Sequence, residues 1–156
     1  MLALVDDPHQ DIPLIAVLRS PAFGFCADAL SAIRAAVREG DFYTALCRKA
    51  EEDEKCARFL ELLGRMRELA PDLSAAELLW QLLEELDMTA ICSAMNDGIQ
   101  RRARLMELVE LAEQFEAGGY RGVHRFVQYL RKLSYISIGG SKHVLQMVRK
   151  NHSNNR

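Results

Sequence analysis

Ser74-Ala75-Ala76-Glu77-Leu78-Leu79-Trp80-Gln81-Leu82-Leu83-Glu84-Glu85-Leu86 is the stretch that decides the fold. Ser74 and Glu77 stand three residues apart, the spacing of a capping box, in which each side chain satisfies the other's free amide at a helix start. Leu78, Leu79, Leu82, Leu83 and Leu86 then recur at the three-and-four spacing of a helix, with the only tryptophan, Trp80, among them. The period is helical, not the alternation of a strand.

The same period extends in both directions. Downstream, residues 88–98 read as a looser stretch. The longest helix follows over about 99–117, with Leu105, Leu108, Val109, Ala112 and Phe115 as its inward stripe and Gly118-Gly119 as its stop. A further helix over about 123–133 turns Phe126, Val127 and Leu130 inward. After Ser134, Tyr135-Ile136-Ser137-Ile138 alternates like a short strand, and Gly139-Gly140 is a turn or linker.

Upstream, the acidic run from Glu51 to Glu54 suits the positive end of a helix that continues through Phe59, Leu60, Leu62, Leu63 and Met66. Asp41 caps a short helix over 42–49. Residues 27–37 place Leu30, Ile33, Ala36 and Val37 on one face. Residues 12–18 form a short apolar helix with Pro13 in its first turn, ended by Ser20-Pro21. Leu2 to Val5 read as the tail of a helix whose beginning is missing. The expectation is an all-α, irregular multi-helix bundle with little or no sheet.

Hydrophobic residues make up 49% of the 156, enough for a core and too many for a disordered chain. No apolar run reaches the ~18–20 residues that cross a bilayer, and the N-terminus lacks a secretory pattern, so the expectation is a soluble cytoplasmic chain with no membrane partner. Cys26, Cys47, Cys56 and Cys92 form no C-x-x-C pair and fit no zinc or disulfide framework, so they read as small core hydrophobes on helices. Charge is lopsided. Residues 1–117 hold all 22 acids against 12 Lys and Arg, a net −10, while residues 118–156 hold 8 Lys and Arg and no acid. That asymmetry suits a polyanionic partner, and it equally suits a basic tail neutralising an acidic face.

The motifs of catalysis are missing. A phosphate loop needs a glycine-rich turn followed by Lys and then Ser or Thr; Gly139-Gly140-Ser141-Lys142 has the last two reversed and no strand before it. None of His9, His124, His143 or His152 belongs to an H-E-x-x-H pair, and no serine sits in a G-x-S-x-G elbow. Asp6-Asp7, Glu51 to Glu54 and Glu84-Glu85 are paired acids, but neighbours on a helix point ~100° apart and do not converge on two metals. The expectation is no catalytic, cofactor or metal site.

Two basic groups remain. Arg101 and Arg104 share a face at the start of the longest helix. Arg121 and Arg125, then Arg131 and Lys132, lie on or beside the next one, with His124 and Tyr129 among them. Phosphate contact uses this mix of cations and polar aromatics, and an ordinary solvated helix surface has it too.

A resemblance adds to this reading. The block Asp6-Asp7-Pro8-His9-Gln10-Asp11-Ile12-Pro13-Leu14, with Ala16-Val17-Leu18-Arg19-Ser20-Pro21 and Phe23-Gly24-Phe25, resembles the AddA-type subunits of bacterial helicase–nucleases, which are UvrD/RecB-like superfamily 1 proteins. Leu73-Ser74 with Leu79-Trp80, then Gly98, Arg101 and Leu105, then Phe115-Glu116 and Arg121-Gly122-Val123 with Arg125-Phe126, resemble later blocks of that family in order and spacing. Arg104 stands where the family usually has Asn. The likeness ends at about Leu133.

The resemblance implies that residues 1–22 end the second motor domain, that 23–133 are the helical insertion called 2B, and that 134–156 are a linker or a tail unlike the family. With the uncapped start, it implies a piece of a larger protein. It implies a non-catalytic accessory domain acting in double-strand-break repair and recombination, contacting duplex DNA or regulating the motor. ATP and magnesium are then expected in the parent and not here. The expected partners are DNA, bound weakly and without sequence preference, the parent's motor and nuclease domains, and a second helicase–nuclease subunit, in a bacterial cytoplasm. The alternative is a helical adaptor that docks a partner subunit through apolar surface between Leu78 and Leu86.

Overall fold

The capping box forms as its spacing predicts. The Ser74 hydroxyl accepts from the Glu77 amide at 3.1 Å, and the Glu77 carboxylate accepts from the Ser74 amide at 2.8 Å. The computed structural model describes residues 1–37 and 39–139. Among them are nine helices and no strand: α1 (Leu2–Asp6), α2 (Asp11–Arg19), α3 (Ala27–Ala36), α4 (Phe42–Lys49), α5 (Glu54–Leu69), α6 (Ala75–Glu85), α7 (Met88–Ser93), α8 (Gly98–Ala117) and α9 (Val123–Gly139). Arg38 and the residues from Gly140 on, including Lys142, His143 and His152, lie outside the described residues, and with them most of the expected tail.

Short acidic caps punctuate the chain. Asp41 accepts from the Thr44 amide at 2.7 Å to start α4, and Asp53 accepts from the Lys55 and Cys56 amides at 2.9 and 3.1 Å to start α5. The acidic run therefore splits. Glu51 and Glu52 stay in the preceding turn, and α5 begins only at Glu54, because the Asp53 carboxylate competes for the first free amides.

Short α1 is the hub. Leu4 is fully buried and Leu2 and Val5 nearly so, and this helix packs against α2, α5 and α9. One contiguous core joins Leu4, Leu14 and Leu18 to Leu46, Phe59, Leu63 and Met66, then to Leu78, Ala112 and Phe126. At ~25 cal/mol per Å² of apolar surface, this burial is the main force holding the bundle together.

Several expectations need correction. Residues 88–98 are not loose: the Asp87 carboxylate accepts from the Ala90 amide at 3.3 Å and starts α7. Gly98 lets α8 close on that helix, since a β-carbon there would stand 2.2 Å from the Cys92 carbonyl oxygen. Residues 135–138 are not strand-like but continue α9. No partner strand exists among the described residues, and the Ser134 hydroxyl bonds back to the Arg131 carbonyl at 2.7 Å, which absorbs the serine into the helix.

On α8 the buried stripe is Val109 and Ala112; Leu108, Leu105 and Phe115 are only half-buried, because α8 lies at the edge of the bundle. Ala36 on α3 is exposed. Cys56 and Cys92 are core residues as expected, but Cys26, at the N-cap of α3, and Cys47 are exposed.

Candidate nucleic-acid interface

Helix α9 presents the better-formed basic face. Val123, Phe126 and Val127 anchor it in the core, so the helical period turns Arg125 and Lys132 to solvent on the opposite side. Arg121 stands exposed just before the helix, in a turn where Gly119 and Gly122 take φ of +83° and +94°, values that suit glycine. On the flank facing α1, His124 Nδ1 lies 2.7 Å from the Asp6 carboxylate, and Arg131 donates to the Gln10 side chain at 2.5 Å. Arg131 is therefore half-buried and partly spent on holding α9 to the segment after α1.

Arg101 and Arg104 do not join this face. They are exposed at the opposite end of α8, about 20 Å from its C-terminus at 1.5 Å per residue. Arg101 donates to the Asn96 carbonyl at 3.2 Å. The six sequence-predicted cations thus form two groups, one at each end of α8. None of the six pairs with a carboxylate among the described residues. Elsewhere some cations are paired, within one turn in Arg48–Glu51 and Arg58–Glu54 and between α5 and α6 in Arg65–Glu85.

Tyr129, expected among the cations, instead packs inward, its ring 5.3 Å from that of Phe115. The exposed aromatic next to Arg121 is Tyr120, which stands outside the expected set. It is 56% exposed and stacks on Phe115 at 5.2 Å and 23° between planes. Its signal was its place between Gly118-Gly119 and Arg121, where no helical stripe would bury it.

Arg121 itself lines a pocket of about 490 Å³, together with Asp72, Ser74, Glu77 and Glu116. Glu116, near the end of α8, accepts from the Ala75 amide at 2.5 Å and the Ala76 amide at 3.4 Å. Its carboxylate thereby occupies the N-terminus of α6, where an outside anion would otherwise be favoured. The acids around this pocket repel phosphate, so it extends no phosphate path from α9.

The apolar surface expected between Leu78 and Leu86 is mostly internal. Leu78, Leu79 and Leu82 are buried, Leu83 and Leu86 pack against the core, and only Trp80 faces outward, at 48% exposure. No set of three or more His, Cys, Asp or Glu side chains among the described residues is placed to hold a metal ion. No helix of the described residues is long and apolar enough to cross a membrane.

No family model matches the chain. Curated proteins do match it, each named as the A-type subunit of an ATP-dependent helicase/nuclease. The protein from Lactobacillus johnsonii is 38% identical over 136 residues, that from Geobacillus kaustophilus 40% over 143, and that from Acetivibrio thermocellus 39% over 138. Each match covers 85% of this chain and only 11–12% of the relative's length.

Proposed function

We propose that this chain, which is related over 85% of its length to a segment of the A-type subunits of ATP-dependent helicase/nucleases, is a non-catalytic helical module of such a machine and contacts its duplex DNA. In this reading ATP hydrolysis, magnesium binding and DNA cleavage belong to other parts of the protein, and the module serves double-strand-break repair and recombination in the bacterial cytoplasm. Its neighbours are the motor and nuclease domains and a second helicase–nuclease subunit.

The kinship carries the assignment to a helicase/nuclease. For DNA contact, the supporting observation is that the α9 cations are left without carboxylate partners in a chain that holds 22 acids. A salt-bridged surface would have used them. Arg121, Arg125 and Lys132 bind phosphates, and Arg101 and Arg104 form a second contact at the far end of α8.

Binding of this kind is indifferent to sequence, and it weakens with salt because each neutralised phosphate releases counterion. The expected dissociation constant for the isolated chain is ~10⁻⁴–10⁻⁵ M at low salt. Titrating a blunt duplex at two salt concentrations with wild type and an Arg121→Ala/Arg125→Ala variant tests this. The variant should bind more weakly and with a shallower salt slope. Salt-insensitive binding, or binding unchanged by the double substitution, removes α9 from the DNA path.

A further inference from the structure

The packing of the bundle leaves one face of α6 uncovered. Leu78, Leu79 and Leu82 point into the core, so the helical period brings Glu77, Trp80 and Glu84 together in one outward line. Trp80 is 48% exposed, and both acids beside it are exposed too. Neither acid pairs with a cation among the described residues; Arg65, which reaches α6 from α5, is taken by Glu85 at 2.9 Å. Glu107, Glu110 and Glu113 on the neighbouring α8 are exposed and equally unpaired, and they deepen the negative field.

An indole set between carboxylates selects its ligand. The ring face attracts a Lys or Arg side chain, the acids add ion pairs, and phosphate is repelled. A covering segment is therefore basic, with apolar residues to lie on the ring. One segment of this chain has that chemistry. Residues 140–156 hold Lys142, Arg149, Lys150 and Arg156 and no acid, and Val144, Leu145, Met147 and Val148 stand between the first two of these cations. The segment is also within reach. Tyr129 on α9 touches Phe115 on α8 at 5.3 Å, and α9 ends at Gly139, about 15 Å further along its axis. Glu116 ties that end of α8 to the start of α6. The outer line of α6 thus lies on the order of 20–30 Å from Gly139, a gap that about nine residues can span.

We propose that residues 140–156 dock on the outer face of α6 of the same molecule, setting their cations on Glu77 and Glu84 and over the Trp80 ring. The opposed charges of the chain then meet within one molecule, and the basic segment is withheld from any polyanion until salt or a stronger acid competes for it. Exposed ion pairs with one exposed cation–π contact supply a preference of roughly 3- to 30-fold for the docked state. The proposal does not depend on whether α9 contacts DNA.

Trp80 is the only tryptophan, so its fluorescence reports on this face alone. The test measures its quenching by acrylamide, a neutral probe, in the 156-residue chain and in a Lys142→Ser/Arg149→Ser/Lys150→Ser variant. No residue after Leu130 belongs to the described core, so these substitutions leave it intact. At low salt the wild type should protect Trp80. The triple variant, or wild type in ~1 M salt where charges are screened beyond ~3 Å, should show a quenching constant raised roughly two-fold. Glu84→Lys should release the segment in the same way, and combining it with Arg149→Glu/Lys150→Glu should restore protection. Equal quenching in the wild type and the triple variant at low salt overturns the proposal. So does protection that grows with protein concentration, which would put a second copy's segment on the face instead.

Discussion

Glu116 is the single side chain whose removal should tell most about how α8 is held to α6. Its carboxylate crosses 41 residues of sequence to accept from the Ala75 amide at 2.5 Å and the Ala76 amide at 3.4 Å. The free amides at the start of α6 are thereby accounted for: Ser74 and Glu77 satisfy each other, and Glu116 takes the two between them. Ala75 is fully buried, so truncation of Glu116 leaves an amide that water does not easily reach.

A charge-assisted hydrogen bond contributes ~1.5–3 kcal/mol, and an anion at a helix N-terminus adds a few tenths to ~1. Glu116→Ala should therefore destabilise the chain by about 2–3 kcal/mol, on the order of 5–10 °C in Tm for a chain of this size. Glu116→Gln keeps an acceptor oxygen and loses only the charge, and should cost about 1 kcal/mol. Urea titration followed by helical circular dichroism measures both. A Glu116→Ala variant within ~0.5 kcal/mol of wild type would show that this cap is not made in solution. A Gln variant as damaged as the Ala variant would show that charge and not acceptor geometry holds α8 to α6.

Two further outcomes follow from burial. Leu63→Ala should cost ~2–5 kcal/mol, whereas Leu108→Ala, at a half-buried position, should cost about 1, and equal losses in urea titration would mean that α8 sits deeper in the core than its exposure indicates. In the 156-residue chain made by itself, burial also pushes the Met1 α-amino group down from 8.0 to about 6. Between pH 6 and 8 the unfolded chain then binds a proton that the folded chain rejects, so stability rises with pH across that window and falls as pH drops toward 6, by up to ~2–3 kcal/mol. Comparing urea midpoints of free and N-acetylated chain at pH 6 and 8 isolates this group, and an identical pH slope in both would refute it.

Much of the fold was legible because its signals are local. Ser74 with Glu77, Asp41 before 42–49 and Pro13 in a first turn each act within one helical turn, and each element stands where those residues predict. What was not legible depended on neighbours. Residues 135–138 alternate, but strand formation needs a partner, and α9 supplied a helix to extend instead. Leu108 belongs to a correct helical stripe, yet how deeply it is buried depends on where α8 lies in the bundle. Cys26 and Cys47 show the same limit: a residue type inclined to be buried is exposed, one at the start of α3 and the other on the outer side of α4. At the candidate interface the cations were visible one by one, but their division into two groups was not. For Tyr120 the place between Gly118-Gly119 and Arg121 was a signal of exposure, but its stack on Phe115 depends on the fold and was not legible.

The division into two groups bears on the proposed function through α8 itself. This helix has no acid in its first turn and no base in its last; Arg101, Arg102 and Arg104 crowd its positive end, and Glu107, Glu110 and Glu113 lie toward its negative end. The cations nearest the helix start oppose its dipole, and a charge in that first turn forgoes ~0.3–1 kcal/mol relative to the opposite sign, an effect that fades beyond one turn. Stability of the isolated helix therefore does not explain the pattern, and Ile99, 89% exposed beside these arginines, is not explained by local packing either. A partner at that end accounts for both. On the DNA reading, the dipole and the arginines add to one positive pole for phosphates, and α8 becomes a rigid spacer of about 20 Å between that pole and α9. At about 3.4 Å per base pair, a duplex touching both would be gripped about six base pairs apart. Neutralising Arg101 and Arg104 should then lower duplex affinity independently of Arg121 and Arg125, the two pairs adding as separate sites of one contact.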